Sequence, residues 1–311
     1  MNIIFFGSSQ YCLPVVHALF KNFNLQGVIT KSPPNSVYDF CHKNKIKVIT
    51  PEDVAQLLEL KPDVSRLKPD LAVVSDYGLI IPEEIFKLPK YETLNIHFSR
   101  LPQFRGPSPV QYSILFGQQE SWITITQITS KVDAGPIIAQ IKYPFSPQTE
   151  DTKSLYTKLF QNLSAVLPGI IKDYLDNKFT LLAQDEKNVS YTGIITRSDG
   201  FLPLKLFQLS LTGQSGLADD QNTLLAKSIQ KSDNLALGIE RAIRAFNPWP
   251  GVWTLLSNGK RLKIIKGKLE YQRLTPIVVQ LEGKKPVSWK QFLEGYPSLF
   301  PASSKAAKSS L

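Results

Sequence analysis

Short apolar runs alternate with stretches of helical spacing along the first part of the chain. "NIIFF" precedes a helical pattern from Tyr11 to Lys21, "LQGVIT" one near Ser36 to Lys43, and "KVIT" one near Pro51 to Leu60. "DLAVVSDYG" and "TLNIHF" then read as two further buried strands. Strand and helix in strict turn is the pattern of crossover connections, which lay parallel strands side by side with helices on both faces. The alternation therefore predicts an α/β domain with a doubly wound, mostly parallel sheet. Gly7 after the first strand invites a dinucleotide reading, but "FFGSSQYC" lacks the other two glycines that pyrophosphate binding needs, which excludes NAD.

Farther along, "SWITITQIT" and "GPIIAQIKYPF" alternate well enough to pair antiparallel around the "SKVDAG" turn, and a helical stretch from about Lys153 to Leu175 follows. "NVSYTGIITRSDGFLPL" reads as an extended connection. Beyond it, a helical pattern over Ala236 to Ala245 gives way to the β-prone runs "GVWTLLS", "RLKIIKG" and "YQRLTPIVVQ", the pattern of a small, OB-like β-barrel. The expected organisation is a first domain over 1–188, a linker over 189–206, a second domain over 207–301 and a disordered tail over 302–311.

Cys12 and Cys41 have no partner at a metal-ligand spacing, so neither a disulfide framework nor a metal site is expected, and a reducing cytoplasm fits best. No run approaches the roughly 18 apolar residues of a membrane span, and no signal peptide is evident at the start. The formal charge of +10 is concentrated. From Arg244 to Leu311 there are 12 Lys and Arg against 3 Glu, a surplus of +9, which leaves 24 against 23 for the residues before. Such asymmetry points to a polyanionic partner, against the plainer reading of a solvated lysine-rich surface.

Ligands of open α/β sheets bind outside the carboxyl ends of the strands. Asn95 and His97 stand two apart at the end of "TLNIHF", so both project from one face of the strand into one pocket. Asp133, in a turn between two strands, can approach them. An amide can donate to a carbonyl oxygen that becomes negative on attack, an imidazole can take a proton, and a carboxylate can orient the imidazole. That set suits acyl transfer to an amine, with no Ser or Cys nucleophile. Each residue also has a plainer role: Asn95 capping a turn, His97 satisfied in the core, Asp133 fixing the turn before Gly135.

"LNIHFSRLPQFRGPSPVQ" together with "SKVDAGPI" resembles the formyltransferases that use 10-formyltetrahydrofolate as co-substrate, without a metal. The resemblance implies that Asn95, His97 and Asp133 form the catalytic trio. "VVSDYGLIIP" is similar to the family's folate loop, which implies that Tyr77, Gly78 and Leu79, with Asp133, lie beside the pterin, mostly through backbone groups. "IRAFNPWPGVWT", "GKRLKIIKG" and "QLEGKKPVSWKQFLEGYP" resemble the C-terminal domain of the family's tRNA-acting branch. This implies a monomeric enzyme that formylates initiator methionyl-tRNA, with Lys260, Arg261, Lys263, Lys266 and Lys268 against the tRNA. A sugar-nucleotide N-formyltransferase is the alternative enzyme. Release of formate by water is a third reading, and an RNA-binding module with a dead transferase domain a fourth, against which the intact trio argues. The chain departs from the family pattern in a short, Arg-free loop after the second strand, in Phe98 and in Arg100. Arg105 either holds the loop or faces an anionic substrate.

Overall fold

The computed structural model describes residues 1–217 and 222–297, and the tail 302–311 lies outside the described residues. The chain divides into two compact units. The first takes Met1–Val110, Glu120–Phe145 and Ser154–Ile194; the second takes Gln111–Gln119, Ser146–Lys153 and the described residues from Ile195 on.

The chain begins β1 (Asn2–Phe6), α1 (Leu13–Asn22), β2 (Asn24–Ile29), α2 (Ser36–Lys43), β3 (Lys47–Ile49), α3 (Val54–Glu59), α4 (Lys61–Arg66), β4 (Leu71–Val74), α5 (Glu83–Phe86) and β5 (Thr93–His97). It continues with α6 (Pro109–Leu115), β6 (Glu120–Gln127), β7 (Ile137–Pro144) and α7 (Thr152–Leu175). The strands lie in the order β3-β2-β1-β4-β5-β6-β7, parallel from β3 to β5 and antiparallel from β5 to β7. Both faces of β1 are covered, with Ile3, Ile4, Phe5 and Phe6 fully buried. Each such side chain contributes roughly 1.5–3 kcal/mol by leaving water, which is why the run shows no polar alternation.

Local chemistry sets the helix starts. The Asn35 side chain accepts the Tyr38 N–H at the start of α2. The single helix expected from Pro51 to Leu60 instead starts at Val54, where Asp53 caps it by accepting from the Gln56 N–H, and is followed by the separate turn of α4. Phe98 and Arg100 have structural duties. The Phe98 ring meets Phe160 edge-on at 4.7 Å, and the Arg100 guanidinium lies over the Trp122 ring at 4.9 Å.

The second unit carries α8 (Leu204–Thr212), α9 (Leu224–Gln230) and α10 (Leu235–Ala245), then β8 (Val252–Leu255), β9 (Arg261–Glu270), β10 (Arg273–Leu281), β11 (Val287–Ser288) and α11 (Trp289–Gly295). The strands form an antiparallel sheet in the order β11-β10-β9-β8, consistent with a small barrel domain. α8 starts at the end of the segment read as an extended connection: Pro203 stands at its N-cap with φ fixed at −53°, and Gly213 at φ 73° ends it in the left-handed conformation. On α10, Arg244 donates through Nε and a terminal nitrogen to the two carboxylate oxygens of Glu240, and through the other nitrogen to the Glu150 carbonyl. No helix among the described residues is long and apolar enough to cross a membrane.

Candidate functional site

Asn95 and His97 share the end of β5, and the turn between β6 and β7 brings Asp133 to them. The Asn95 amide donates to Asp133 Oδ1 at 2.9 Å, and the Gly106 N–H donates to Oδ2 at 2.8 Å. His97 Nδ1 stands 3.5 Å from Oδ2, an ion-pair distance too long for a good hydrogen bond. The other ring nitrogen, Nε2, lies 2.8 Å from the Phe104 carbonyl and donates to it. The trio read from the sequence thus meets in one cluster. His97 is 6% exposed, which keeps bulk water from competing for its partners.

The turn that carries Asp133 is backbone-limited. Asp133 adopts φ 51°, and two residues later a Cβ at Gly135 would stand 1.7 Å from the Gln127 carbonyl oxygen, so only glycine fits. On the facing loop, Gly106 takes φ 115°, with the Thr192 carbonyl 2.5 Å from where its Cβ would be. That close approach lets the Gly106 N–H reach the carboxylate.

Arg105 is 3% exposed and holds the loop rather than facing solvent. Its guanidinium donates to Gln184 Oε1 at 3.1 and 2.9 Å and to Glu186 at 2.8 Å. Burial works to lower the Arg105 pKa, but the hydrogen bond and charge of Glu186 prevail and hold it above its ordinary value. The hydrogen bond from Arg105 in turn holds the Glu186 carboxyl below the usual carboxylate range. Gln184, Glu186 and Ser190 escape a reading of the sequence because nothing in their local pattern links them to residues about 80 positions away.

β4 and β5 are parallel neighbours with Val74 opposite Asn95, so the loop after β4 leaves the sheet at the same end as the trio. In that loop Asp76 and Gly78 take φ 50° and 86°. The N–H groups of Gly78 and Leu79 donate to no backbone carbonyl among the described residues. The Tyr77 ring packs edge-on against Phe6 at 5.4 Å, and Leu79 packs against the same core. The Tyr77 hydroxyl is buried with no hydrogen-bond partner among the described residues, and burial pushes its pKa up. A loop with unused backbone donors and an orphaned hydroxyl fits a flat heterocycle rich in donors and acceptors.

Lys260 lies in the turn before β9, and Arg261, Lys263, Lys266 and Lys268 lie along that strand. Strict alternation would put the last two on the opposite face from the first two. The register between β9 and β10 slips at Ile265 and Ile277, which leaves Leu262 and Ile264 buried but Lys266 and Lys268 exposed. Several of these cations are already engaged. Arg261 lies over the Trp253 ring at 4.9 Å, Lys263 donates to the Pro248 carbonyl, and Lys268 pairs with Glu270. Burial lowers the Lys263 pKa. A cleft of about 660 Å³ in the second unit is lined by Arg241, Arg244, Lys266 and Lys268 among others. It contains none of the trio, whose site is defined by convergent polar groups rather than by cavity size.

The formyl transferase family model matches residues 15–171, and that of the formyl transferase C-terminal domain matches residues 232–276. A methionyl-tRNA formyltransferase of Wolbachia pipientis subsp. Culex pipiens is 30% identical over 311 residues, spanning 96% of this chain and 97% of that protein. The chain belongs to the formyl transferase family. A methionyl-tRNA formyltransferase of Bacillus subtilis is also 30% identical, over 86% of this chain and 78% of that one. Among solved structures, a methionyl-tRNA formyltransferase from Clostridium thermocellum has the same fold with a TM-score of 0.57, at 16% identity over 93% of this chain and 99% of that chain. The sugar 3N-formyl transferase WlaRD matches with a TM-score of 0.58, at 21% identity over 87% of each chain.

Proposed function

We propose that the chain transfers the formyl group of 10-formyltetrahydrofolate to the α-amino group of methionine on initiator methionyl-tRNA. One observation carries the choice of acceptor: a methionyl-tRNA formyltransferase is 30% identical over 96% of the chain, an alignment long enough to take in the basic C-terminal part, where the C-terminal domain model also matches. The second reading, a sugar-nucleotide acceptor, is favoured by the fold of WlaRD, which fits as well as that of a methionyl-tRNA formyltransferase. Fold alone does not separate the two.

The folate supplies a formyl group already activated on nitrogen. Tyr77, Gly78 and Leu79 hold the pterin, chiefly through the backbone donors of the loop after β4 and the free Tyr77 hydroxyl. Asn95 has two amide hydrogens and spends one on Asp133, which leaves the second for the formyl oxygen as it becomes negative. The methionine amine attacks the formyl carbon and sheds a proton; the bond from that carbon to N10 of the folate then breaks, and N10 takes up a proton as tetrahydrofolate leaves. With Nε2–H committed to Phe104, Nδ1 is the His97 nitrogen that takes the amine's proton, and once charged it faces Asp133. Asp133 keeps lone pairs beyond the two used by Asn95 and Gly106, enough to receive the amine as well. Cys12 and Cys41 are buried, in keeping with direct transfer rather than a covalent enzyme intermediate.

In this reading residues 1–188 form the catalytic domain, 189–206 the linker and 207–301 the tRNA-binding domain, whose contacts are Lys260, Arg261, Lys263, Lys266 and Lys268. The enzyme is a cytoplasmic monomer. The test is to incubate purified protein with 10-formyltetrahydrofolate and either methionyl-tRNA or an amino-sugar nucleotide, and to identify the formylated product by mass spectrometry. Formyl-methionine on the tRNA is expected; formylation of the sugar alone overturns the assignment.

A further inference from the structure

We propose that Gln184 and Arg105 are positioning residues that set the place of Asp133 between Asn95 and His97; the inference rests on the catalytic reading of that trio. Asp133 lies at φ 51°, where side-chain-bearing residues stay only if their surroundings hold them. Gln184 does so. Its Nε2 donates to the Asp133 carbonyl at 2.9 Å and to the Gly135 carbonyl at 2.7 Å. The same amide accepts at Oε1 from Arg105 Nε and from a terminal guanidinium nitrogen, at 3.1 and 2.9 Å. Both hydrogens and both lone pairs of the amide are thereby used.

The direction of that amide matters. Turned over, Oε1 would face two carbonyl oxygens, and its NH₂ would face a guanidinium, so every contact would become repulsive. Arg105 therefore decides which way round Gln184 stands, and Gln184 in turn fixes the backbone of the Asp133 turn. The residue after Arg105 acts on the side chain of the same aspartate, with the Gly106 N–H on Oδ2. The carboxylate of Asp133 is thus gripped directly from the Arg105 loop, and its backbone through Gln184, which that loop orients. Phe104, on the other side of Arg105, supplies the carbonyl that holds His97 Nε2, and its own N–H donates to Ser190 Oγ. Burying a guanidinium needs compensation, and Arg105 has it in Gln184 and Glu186, with Tyr191 also bonding to it. Because Gln184 grips the turn itself, a change there moves the carboxylate relative to Asn95 and His97.

A double-mutant cycle separates this role from mere bracing of the fold, because positioning acts only through Asp133. Gln184→Met keeps the length of the side chain and removes both donors. It is expected to lower kcat about 10- to 100-fold, as for a misplaced catalytic group, with KM for folate and methionyl-tRNA within about threefold of wild type. In an Asp133→Asn enzyme the same substitution is expected to cost less than about threefold more. Arg105→Lys keeps a charge opposite Glu186 but cannot fork onto Oε1, and is expected to give a smaller kcat loss that Asp133→Asn likewise suppresses. Gln184→Glu retains the acceptor for Arg105 and carries the cycle should Gln184→Met not fold, as judged by its thermal melt. Losses that multiply fully in the Asp133→Asn background, or unchanged kcat in Gln184→Met, overturn the proposal alone. An Asp133→Asn enzyme with near wild-type turnover overturns both the proposal and the catalytic reading beneath it.

Discussion

Replacing Asn95 by Ala removes two interactions whose sizes differ and whose readouts are separable. The amide hydrogen directed at the formyl oxygen acts only as negative charge develops there. Loss of one such donor costs roughly 100- to 1000-fold in turnover, which at 1.36 kcal/mol per tenfold is about 2.7–4 kcal/mol of transition-state stabilisation. The second hydrogen is the one donated to Asp133 Oδ1 at 2.9 Å. A hydrogen bond to a charged acceptor contributes about 1.5–3 kcal/mol to folding, and a part-buried one falls at the lower end. For a unit of this size that corresponds to a fall in Tm of about 3–6 °C, so the variant remains folded at 25 °C. The assay is steady-state formylation of methionyl-tRNA at saturating folate, alongside a thermal melt. The expected result is a kcat two to three orders of magnitude down with KM for either substrate within a few-fold. Asn95→Asp places a second carboxylate beside Asp133, and two such groups resist ionising together. It should be less active than Asn95→Ala at neutral pH and regain part of the difference as the pH falls and the pair takes up a proton. Asn95→Ala with kcat near wild type, or with the whole loss in KM, refutes the assigned role.

His97→Ala combined with Asp133→Asn should cost little more turnover than the worse single change, because the charged imidazole and the carboxylate act as one unit; single-turnover rates of the four enzymes check this. Neutralising the exposed Lys266 and Lys268 together should flatten the salt dependence of methionyl-tRNA binding by one to two in log–log slope, measured by filter binding, whereas Lys263, half-buried against the Pro248 carbonyl, should contribute less. Burial, reinforced by the charge of Asp76, pushes the Cys12 thiol up to about 12. An unfolded thiol ionises near 8.5, so the folded form is the tighter proton binder: the stabilisation is complete below about pH 8.5 and is lost as the pH climbs toward 12. Cys12→Ala should therefore lose less stability than wild type between pH 9 and 11 in urea titrations, and an equal slope would contradict this.

The sequence by itself determined the parallel sheet and the placing of Asn95 and His97. Runs such as "NIIFF" and "TLNIHF" carry the period of their own backbone, and a two-residue spacing on a strand has one geometric meaning. Helix starts at Asn35 and Asp53 were set just as locally, by side chains that accept from an N–H three residues on. The basic end of the chain was legible as a surplus of charge, but not the face on which its lysines stand. That depends on the slip at Ile265, which exists only because β9 pairs with β10. Nor did any spacing announce that Gln184 would grip the Asp133 turn from 51 positions away, or that His97 Nε2–H would donate to the Phe104 carbonyl. Arg105, poised in sequence between substrate and scaffold, was settled by the arrival of Gln184 and Glu186 about 80 residues later in the chain. Backbone periodicity is written in neighbouring residues, whereas a hydrogen bond between distant segments depends on where the folded path carries them. No short stretch of the chain records that path.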